Sequence, residues 1–225
     1  MKNKTGTIMI IIGTMLILSA LFLCWYNIKE NRRAYEDSQK VLVELKQLIP
    51  VVEEKDEKEE IMAEIPAVNP ADDLFAPYEE KEEETPVIPE PIELDGTYYC
   101  GYITLPTLGL ELPVVDGWSY AALRNAPCRY SGSAAENDII IAAHNYNDHF
   151  GHIGDLDSGD EMIFTDTDGI SHHYEVDFTQ YVDGYDVDAM YRGESNDWDI
   201  TLFTCTLSGQ SRVTVRGLRV EKEEN

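Results

Sequence analysis

The chain has 225 residues, which is enough for one full domain with appendages. It contains 43 acidic residues against 17 Lys and Arg, which gives a formal net charge of −26. Proteins that bind nucleic acids neutralise phosphates with Lys and Arg, so this balance argues against a nucleic-acid partner.

The N-terminus predicts a transmembrane helix. No charged residue lies between Lys4 and Lys29, and residues 8–26 are mostly Ile, Leu, Met and Phe. This run is long enough to cross a bilayer as a helix. No small-x-small cleavage site follows it, so we interpret residues 1–28 as an uncleaved membrane anchor. Basic residues flank both ends of the run, and their number does not decide its orientation.

Residues 29–52 predict a juxtamembrane helical stalk. Its apolar residues fall on one helical stripe, and Pro50 ends the helix. The stripe consists of Val41, Leu42, Leu45, Leu48 and Ile49. Such a stripe is compatible with self-association of the stalk.

Residues 53–95 predict a disordered linker. They contain runs of Glu, scattered Pro and few apolar residues. Self-repulsion and the lack of a burial surface favour disorder in such a segment. We expect it to act as a spacer between the membrane and a folded domain at residues 96–225.

The C-terminal segment from Gly96 predicts an all-β domain. Turn signals such as Asp116-Gly117 and Asp183-Gly184 come at short intervals, with short alternating or apolar segments between them. Residues 161–165 and 170–176 flank Thr167-Asp168-Gly169, which is typical of a hairpin. Residues 180–182 predict a further strand, and residues 120–125 and 189–194 predict short helical turns. The pattern indicates a barrel or a sandwich.

A hairpin near the C-terminus brings a thiol and a cation together. Thr201-Leu202-Phe203-Thr204-Cys205 alternates with period two and predicts a strand that ends at the cysteine. Ser208-Gly209 predicts a turn, and Arg212-Val213-Thr214-Val215-Arg216 predicts the returning strand. If the two strands pair, Cys205 and Arg212 lie at the same end of the hairpin. A nearby cation favours the nucleophilic thiolate.

A nucleophilic cysteine also needs a partner that moves protons, and His144 is the candidate. The continuous apolar run at residues 138–143 predicts a buried strand that ends directly before His144. An imidazole at the mouth of a buried strand is held rigidly and still reachable.

These motifs together resemble the sortase family of cell-wall transpeptidases. The Thr-Leu-Phe-Thr-Cys pentapeptide, with a histidine strand upstream and an arginine strand downstream, is specific as a combination. The resemblance covers roughly the last 130 residues. Further matching segments are Arg129-Tyr130-Ser131-Gly132-Ser133, Gly101-Tyr102-Ile103-Thr104-Leu105-Pro106 and Leu110-Glu111-Leu112-Pro113-Val114.

The resemblance implies a closed eight-stranded β-barrel with a few short helices, outside a Gram-positive cell and anchored by one membrane-spanning helix. It implies that Cys205 attacks an LPxTG-like sorting signal, and that an amine of a cell-wall precursor or a pilin resolves the thioacyl enzyme. His144 would transfer protons, Arg212 would stabilise the oxyanion, and Thr204 would line the substrate groove. This chemistry requires no cofactor. Asp73-Leu74-Phe75 faintly resembles the lid of pilin-polymerising sortases.

Two alternative functions remain open. The chain could be a cysteine peptidase that only hydrolyses its substrate, or a surface module that uses the barrel for binding without catalysis.

Other polar groups allow alternative sites. His144, His149 and His152 could belong to a zinc hydrolase, although their spacing matches no familiar zinc signature. His172 and His173 lie on a predicted strand and point to opposite faces, so they cannot form one site.

Two further features stay open at this point. The acids at 155, 157, 160, 161, 166 and 168 could bind calcium, but they lack the full spacing of a calcium loop, and solvated turns explain them. Cys100 and Cys128 could form a disulfide in an extracellular protein or serve as separate small core residues.

Overall fold

The computed structural model describes residues 4–51, 86–191 and 197–221. Most of the predicted linker and the segment Asp73-Leu74-Phe75 therefore lie outside the described residues. Within these ranges the α-helices are α1 (Lys4–Leu48) and α2 (Tyr120–Leu123). The strands are β1 (Ile92–Leu94), β2 (Thr97–Leu105), β3 (Leu110–Val115), β4 (Cys128–Ser131), β5 (Ile139–Ala143), β6 (Glu161–Asp166), β7 (Ser171–Asp183), β8 (Ile200–Cys205) and β9 (Ser211–Arg219).

Eight of these strands form a closed barrel. Neighbouring strands follow the order β1-β2-β3-β4-β5-β8-β9-β7-β6, and β6 also pairs with β2. The pairing of β6 with β2 closes β2–β9 into a ring, while β1 adds to the open edge of β2. The predicted eight-stranded barrel with few short helices is confirmed.

Alternation along β5 and β8 separates the core from the outer face of the barrel. Ile139, Ile141 and Ala143 of β5 and Ile200 and Leu202 of β8 pack in the main core cluster. Successive side chains of a strand point to opposite faces, so the residues between them face outward. On this outer face Phe203 and Cys205, at the end of β8, are partly exposed and can build a site.

The predicted β6–β7 hairpin is confirmed. Glu161 pairs with Glu175 and Thr165 pairs with Ser171 across the turn. The turn contains Gly169 at φ +84°, a conformation that glycine adopts without strain. The strand predicted at residues 180–182 is not separate, because β7 continues through it. A bulge between Val176 and Phe178 breaks the alternation, which makes one strand resemble two in the sequence.

Helix α1 is continuous, and its second half packs against the barrel. The predicted stalk is therefore not a free-standing element. Leu42, Leu45 and Ile49 are nearly inaccessible to solvent, and the last two share a cluster with Tyr99 and Val115. The Gln39 Nε2 donates a hydrogen bond of 2.8 Å to the Glu111 carbonyl oxygen. Leu48, which the sequence pattern places on the same stripe, is exposed.

The barrel begins before the predicted boundary at Gly96. Strand β1 pairs antiparallel with β2, from Ile92 opposite Tyr99 to Leu94 opposite Thr97. Starting the domain at Gly96 therefore cuts a hairpin. The error has a physical cause, since a three-residue edge strand next to prolines has the composition of the linker before it.

The predicted short helical turns are partly confirmed. α2 lies inside the predicted range of 120–125, and its Ser119 cap accepts a hydrogen bond from the backbone N–H of Ala122. Near the second predicted turn the chain forms a 3₁₀ turn at Asp188–Met190, and residues 192–196 lie outside the described ranges.

Candidate active site

Cys205 and Arg212 form the last residue pair of the β8–β9 hairpin. Their Cα atoms are partners in the antiparallel register, as are Phe203 and Thr214 one step inward on the same face. The predicted register is confirmed. Both side chains are partly exposed and line one groove, so a reactant can reach the thiol and the guanidinium together.

His144 reaches the same end of the barrel through a parallel strand pair. β5 pairs with β8 from Ile139 opposite Ile200 to Ala143 opposite Thr204. His144 is the next residue after Ala143, as Cys205 is the next residue after Thr204. The sheet therefore carries the imidazole, the thiol and the guanidinium on three adjacent strands, β5, β8 and β9.

Thr204 holds the strands together. Its side chain is 2% exposed, and its hydroxyl donates a hydrogen bond of 2.8 Å to the Ala143 carbonyl oxygen. The resemblance implies a groove residue at this position, but Thr204, unlike Phe203 and Cys205, does not line the groove beside the thiol. The contact fixes the end of β8 against the end of β5, directly before the two candidate catalytic residues.

The Arg212 side chain is anchored to the turn between β8 and β9. Its Nη1 donates hydrogen bonds to the carbonyl oxygens of Gly209 at 3.1 Å and Ser211 at 3.3 Å. Gly184 packs against this turn, where its N–H donates to the Gln210 carbonyl oxygen at 2.8 Å. A Cβ on Gly184 would lie 2.7 Å from that oxygen and 3.0 Å from the Arg212 Nη1. The sequence shows Gly184 only as part of a turn signal.

An aromatic groove of about 190 Å³ leads to Cys205. Its central ring is Tyr130, whose centroid lies 5.5 Å from that of Trp118 and 5.4 Å from that of Phe203. Aromatic rings give a groove a large apolar surface with defined shape. Sequence reasoning missed this groove, because its residues come from distant segments. The lining includes Trp118, Tyr120, Tyr130, Val187, Met190 and Phe203.

Burial and a nearby cation favour the neutral form of His144. Loss of hydration lowers the pKa of His144 below its usual value, and the positive charge of Arg124 lowers it further. The imidazole also stacks on Tyr146, with ring centroids 4.9 Å apart and an interplanar angle of 25°. This contact fixes the ring plane of a partly exposed side chain.

The three histidines of the possible zinc site do not converge. His149 is completely buried, and neither ring nitrogen has a hydrogen-bond partner among the described residues. Burial lowers the pKa of His149 to about 4, and His144 adds to the shift. His152 is on the surface, where its Nδ1 lies 3.0 Å from an Asp155 carboxylate oxygen. In the described ranges no three His, Cys, Asp or Glu side chains group around a common point.

The acids considered for calcium serve turns and strand ends. Asp166 accepts hydrogen bonds of 3.0 Å from the N–H groups of Asp168 and Ile170. Its second oxygen lies 2.8 Å from the His172 Nε2, whereas His173 contacts Glu161. The two neighbouring histidines thus point to opposite faces, as predicted.

Cys100 and Cys128 are free thiols that differ from Cys205 in environment. The first thiol donates to the Val114 carbonyl oxygen and the second to that of Ala126, both at 3.6 Å. Burial raises the pKa of each to about 12. Neither thiol forms the nucleophilic thiolate near neutral pH.

Comparisons with known proteins agree with this fold. A sequence model of the sortase domain matches residues 103–220, more than half of the chain. The structure is similar to that of a lid mutant of sortase A from Corynebacterium diphtheriae, with 26% identity and a TM-score of 0.51 over 57% of this chain and 74% of that one. It is also similar to sortase C1 from Streptococcus agalactiae, with 25% identity and a TM-score of 0.50 over 58% of this chain and 72% of that one. A comparison with curated proteins finds no match. The family match and the eight-stranded barrel together show that this chain belongs to the sortase family.

Proposed function

We propose that this chain is a membrane-anchored sortase that cleaves an LPxTG-like sorting signal and joins the acyl product to an amine of the cell wall or of a pilin. One observation carries the proposal: Cys205 pairs with Arg212 in the strand register, and His144 follows the residue that pairs with Thr204. These are the three groups that thiol-based acyl transfer needs, namely a nucleophile, a proton carrier and an oxyanion donor.

In the first half of the reaction, Cys205 attacks the carbonyl carbon of the Thr–Gly bond. Because the pKa of His144 is lowered by burial, its imidazole is neutral near pH 7 and accepts the thiol proton. The carbonyl oxygen becomes an oxyanion that accepts hydrogen bonds from the Arg212 guanidinium. The C–N bond then breaks, His144 returns the proton to the leaving amine, and a thioester remains on Cys205.

The second half reverses these roles. An amine attacks the thioester carbon while His144 takes its proton, and Arg212 again stabilises the oxyanion. The C–S bond breaks and the thiolate regains a proton from His144. The product, now joined to the amine by a new amide bond, is released. A cell-wall precursor and a pilin lysine both supply such an amine.

The groove suits the apolar part of a sorting signal. Trp118, Tyr130 and Phe203 form an aromatic wall that ends at Cys205. The transfer of Leu and Pro side chains from water to such a wall lowers the free energy of the complex. The proposed direction of the peptide therefore has the Leu-Pro part on the rings and the Thr–Gly bond over the thiol.

Helix α1 supports the proposed anchoring. Its first half is long and apolar enough to cross a membrane, and none of its side chains from residue 6 to residue 30 is buried. A core helix of a soluble protein would bury such a surface. We propose that residues 1–28 are the anchor and that the barrel lies outside the cell.

The test uses the full chain in detergent micelles with a panel of sorting peptides and amines, and mass spectrometry of the products. We expect amine-linked peptides from the native chain, and a loss of about 10⁴-fold or more for Cys205→Ala. The matched control is Cys100→Ala, which removes a thiol outside the groove and should retain turnover. Hydrolysed peptide without amine adducts would instead assign a cysteine peptidase. Absence of all turnover, with no alkylation of Cys205, would assign a binding module.

A further inference from the structure

Helix α1 changes its surroundings at one position. Up to residue 30 no described side chain is buried. From Asn31 onward, the barrel covers one residue in every three or four, which forms one face of the helix. This face continues through Ala34, Ser38, Leu42 and Leu45. The helix has no break between Lys4 and Leu48, so the exposed apolar part and the docked part form one rod.

The barrel first meets α1 at the loop that follows His144. Asn31, Arg32 and Tyr35 of α1 face Asn147 and Asp148 across a shared cleft. His144 is three residues before Asn147, at the end of β5 where the proposed catalytic groups lie. The part of α1 nearest to its apolar half therefore contacts the active-site end of the barrel.

The rest of α1 runs away from this end. Gln39 binds the carbonyl oxygen of Glu111 near the start of β3, and Leu45 packs with Val115 at the end of β3. β3 is parallel to β4, and β4 is antiparallel to β5. β3 therefore runs opposite to β5, and α1 follows it from the Cys205 end of the barrel toward the other end.

Helix geometry sets the distance between the membrane surface and the active-site end of the barrel. Asn31 is three positions after Ile28, the last apolar residue before the charged part. At 1.5 Å per residue this is about 5 Å along the helix axis, and Tyr35 is only about 10 Å from Ile28. A membrane around the apolar half of α1 would end within about 10 Å of the loop after His144.

The surface at this end suits a lipid headgroup region. Leu207 in the turn between β8 and β9 is 98% exposed, and Tyr185 after β7 is 93% exposed. The turn from Thr206 to Gln210 has no charged residue, in a chain with 43 acids. Exposed carboxylates lie at both ends, Asp186 beside Tyr185 and Asp168 in the β6–β7 turn, so the uncharged part of the Cys205 end is the β8–β9 turn. Leu and Tyr are favourable at a membrane interface.

We infer that the Cys205 end of the barrel faces the membrane and that Leu207 and Tyr185 lie in its headgroup region. The inference rests on the proposed anchoring by α1. It assigns the occupant of this exposed surface as lipid, because the rigid helix holds this end of the barrel against the bilayer.

The test places the full chain in phosphatidylcholine nanodiscs that contain a phospholipid with a photoreactive headgroup. We expect cross-links on the peptides that contain Leu207 and Tyr185, at least about fivefold above those on the β6–β7 turn with Ile170. Cross-links on α1 together with none on these two peptides would overturn the inference and leave the anchoring intact. A chain that does not enter nanodiscs would overturn both.

A pair of variants tests the contact itself. Leu207→Glu should reduce cross-linking of its turn several-fold, because a carboxylate is unfavourable among headgroups. Ile170→Glu is the matched control at the other end of the barrel and should leave that cross-linking unchanged. Leu207 does not line the groove, so turnover of a soluble sorting peptide should stay within about twofold in both variants. Equal cross-linking in the two variants would overturn the assignment of Leu207.

Discussion

Cys205 lies directly opposite Arg212 at the turn end of the β8–β9 hairpin. Opposite side chains in an antiparallel pair have Cβ atoms about 5 Å apart. The hydrogen bonds from the Arg212 Nη1 to Gly209 and Ser211 hold the guanidinium at this end. A carbonyl group attacked by the thiol would therefore develop its negative charge beside a fixed, planar donor.

Arg212→Lys should lower turnover of a sorting peptide by about 10²–10³-fold, because one ammonium group cannot reproduce directed hydrogen bonds to the oxyanion. Arg212→Ala should be lower again, since it also removes the charge. Steady-state kinetics of both variants against the native chain provide the measurement. Arg124→Lys is a matched control, because it exchanges an arginine near His144 without touching the oxyanion position. Native turnover in both Arg212 variants would remove this residue from the site.

The acid limb of the rate profile should report His144. Burial and Arg124 both lower the pKa of His144, so kcat/KM should fall only as the pH drops below the usual histidine value of 6.5. In Arg124→Gln the imidazolium loses a repulsive neighbour, so its pKa rises and the acid limb moves to higher pH. The shift should shrink as salt is added, because Arg124 is exposed. Arg33→Gln, on α1, should leave the limb in place, and an equal shift there would contradict the assignment to Arg124.

The hairpin and the histidine strand could be predicted because their patterns are local. Alternation from Thr201 to Cys205 and a continuous apolar run before His144 are both visible within a few residues. The parallel pairing of β5 with β8 is different, since these strands lie far apart in the chain and neither sequence indicates which strand it pairs with. From the sequence, only the resemblance to sortases predicted that His144 lies near Cys205.

The features that the sequence did not predict have different causes. The inward orientation of Thr204 could have been predicted, because successive side chains of a strand point to opposite faces. If Cys205 faces outward, Thr204 must face the core. The aromatic groove around Tyr130 and the docking of α1 on Tyr99 depend on which distant segments meet. β1 has only three residues, and its Glu93 matches the acidic linker that precedes it.

His149 should make the stability of the barrel depend on pH. Burial lowers the pKa of His149 to about 4, whereas an unfolded chain has the usual value near 6.5. Between these values the unfolded state binds more protons, so the free energy of unfolding falls as the pH falls from 6.5 to 4. The loss attributable to His149 is of the order of 2–3 kcal/mol.

His149→Phe keeps an aromatic ring against Tyr146 and should flatten the dependence of the thermal midpoint on pH in this window. His152→Gln is the matched control, since His152 is on the surface and paired with Asp155. An unchanged pH dependence in His149→Phe would show that another group titrates.

The position of β1 predicts a difference between two soluble fragments. A fragment from Pro86 keeps β1 paired with β2, whereas one from Gly96 loses Ile92 and Leu94 from the cluster around Tyr99. Losing these two partly buried side chains should cost about 1–2 kcal/mol, or roughly 4–8 °C in melting temperature. Circular dichroism melting of both fragments measures this, and equal melting temperatures would show that β1 adds no stability.

Arg216 should fix one wall of the substrate groove. It is completely buried, its Nη1 donates to the Met190 carbonyl oxygen at 3.0 Å, and its Nη2 donates to that of Ala189. Its guanidinium carbon also lies 4.2 Å from the ring centroid of Trp198. Burial lowers the pKa of Arg216 to about 10, so the group remains charged at neutral pH. These contacts hold the 3₁₀ turn that presents Met190 to the groove.

Arg216→Lys should therefore weaken substrate binding more than it slows the chemical step. A lysine keeps the charge, but its single nitrogen cannot reproduce the planar fork that bonds the two carbonyl oxygens through Nη1 and Nη2, so the turn at Ala189 and Met190 loosens. We expect KM to rise by about tenfold with kcat within about threefold, and a loss of stability of roughly 1–3 kcal/mol from the unpaired carbonyl groups. Arg212→Lys, four residues earlier on the same face of β9, provides the contrast because its main effect should be on kcat. If Arg216→Lys lowered kcat while KM stayed constant, Arg216 would act on the reacting atoms and not on the groove wall.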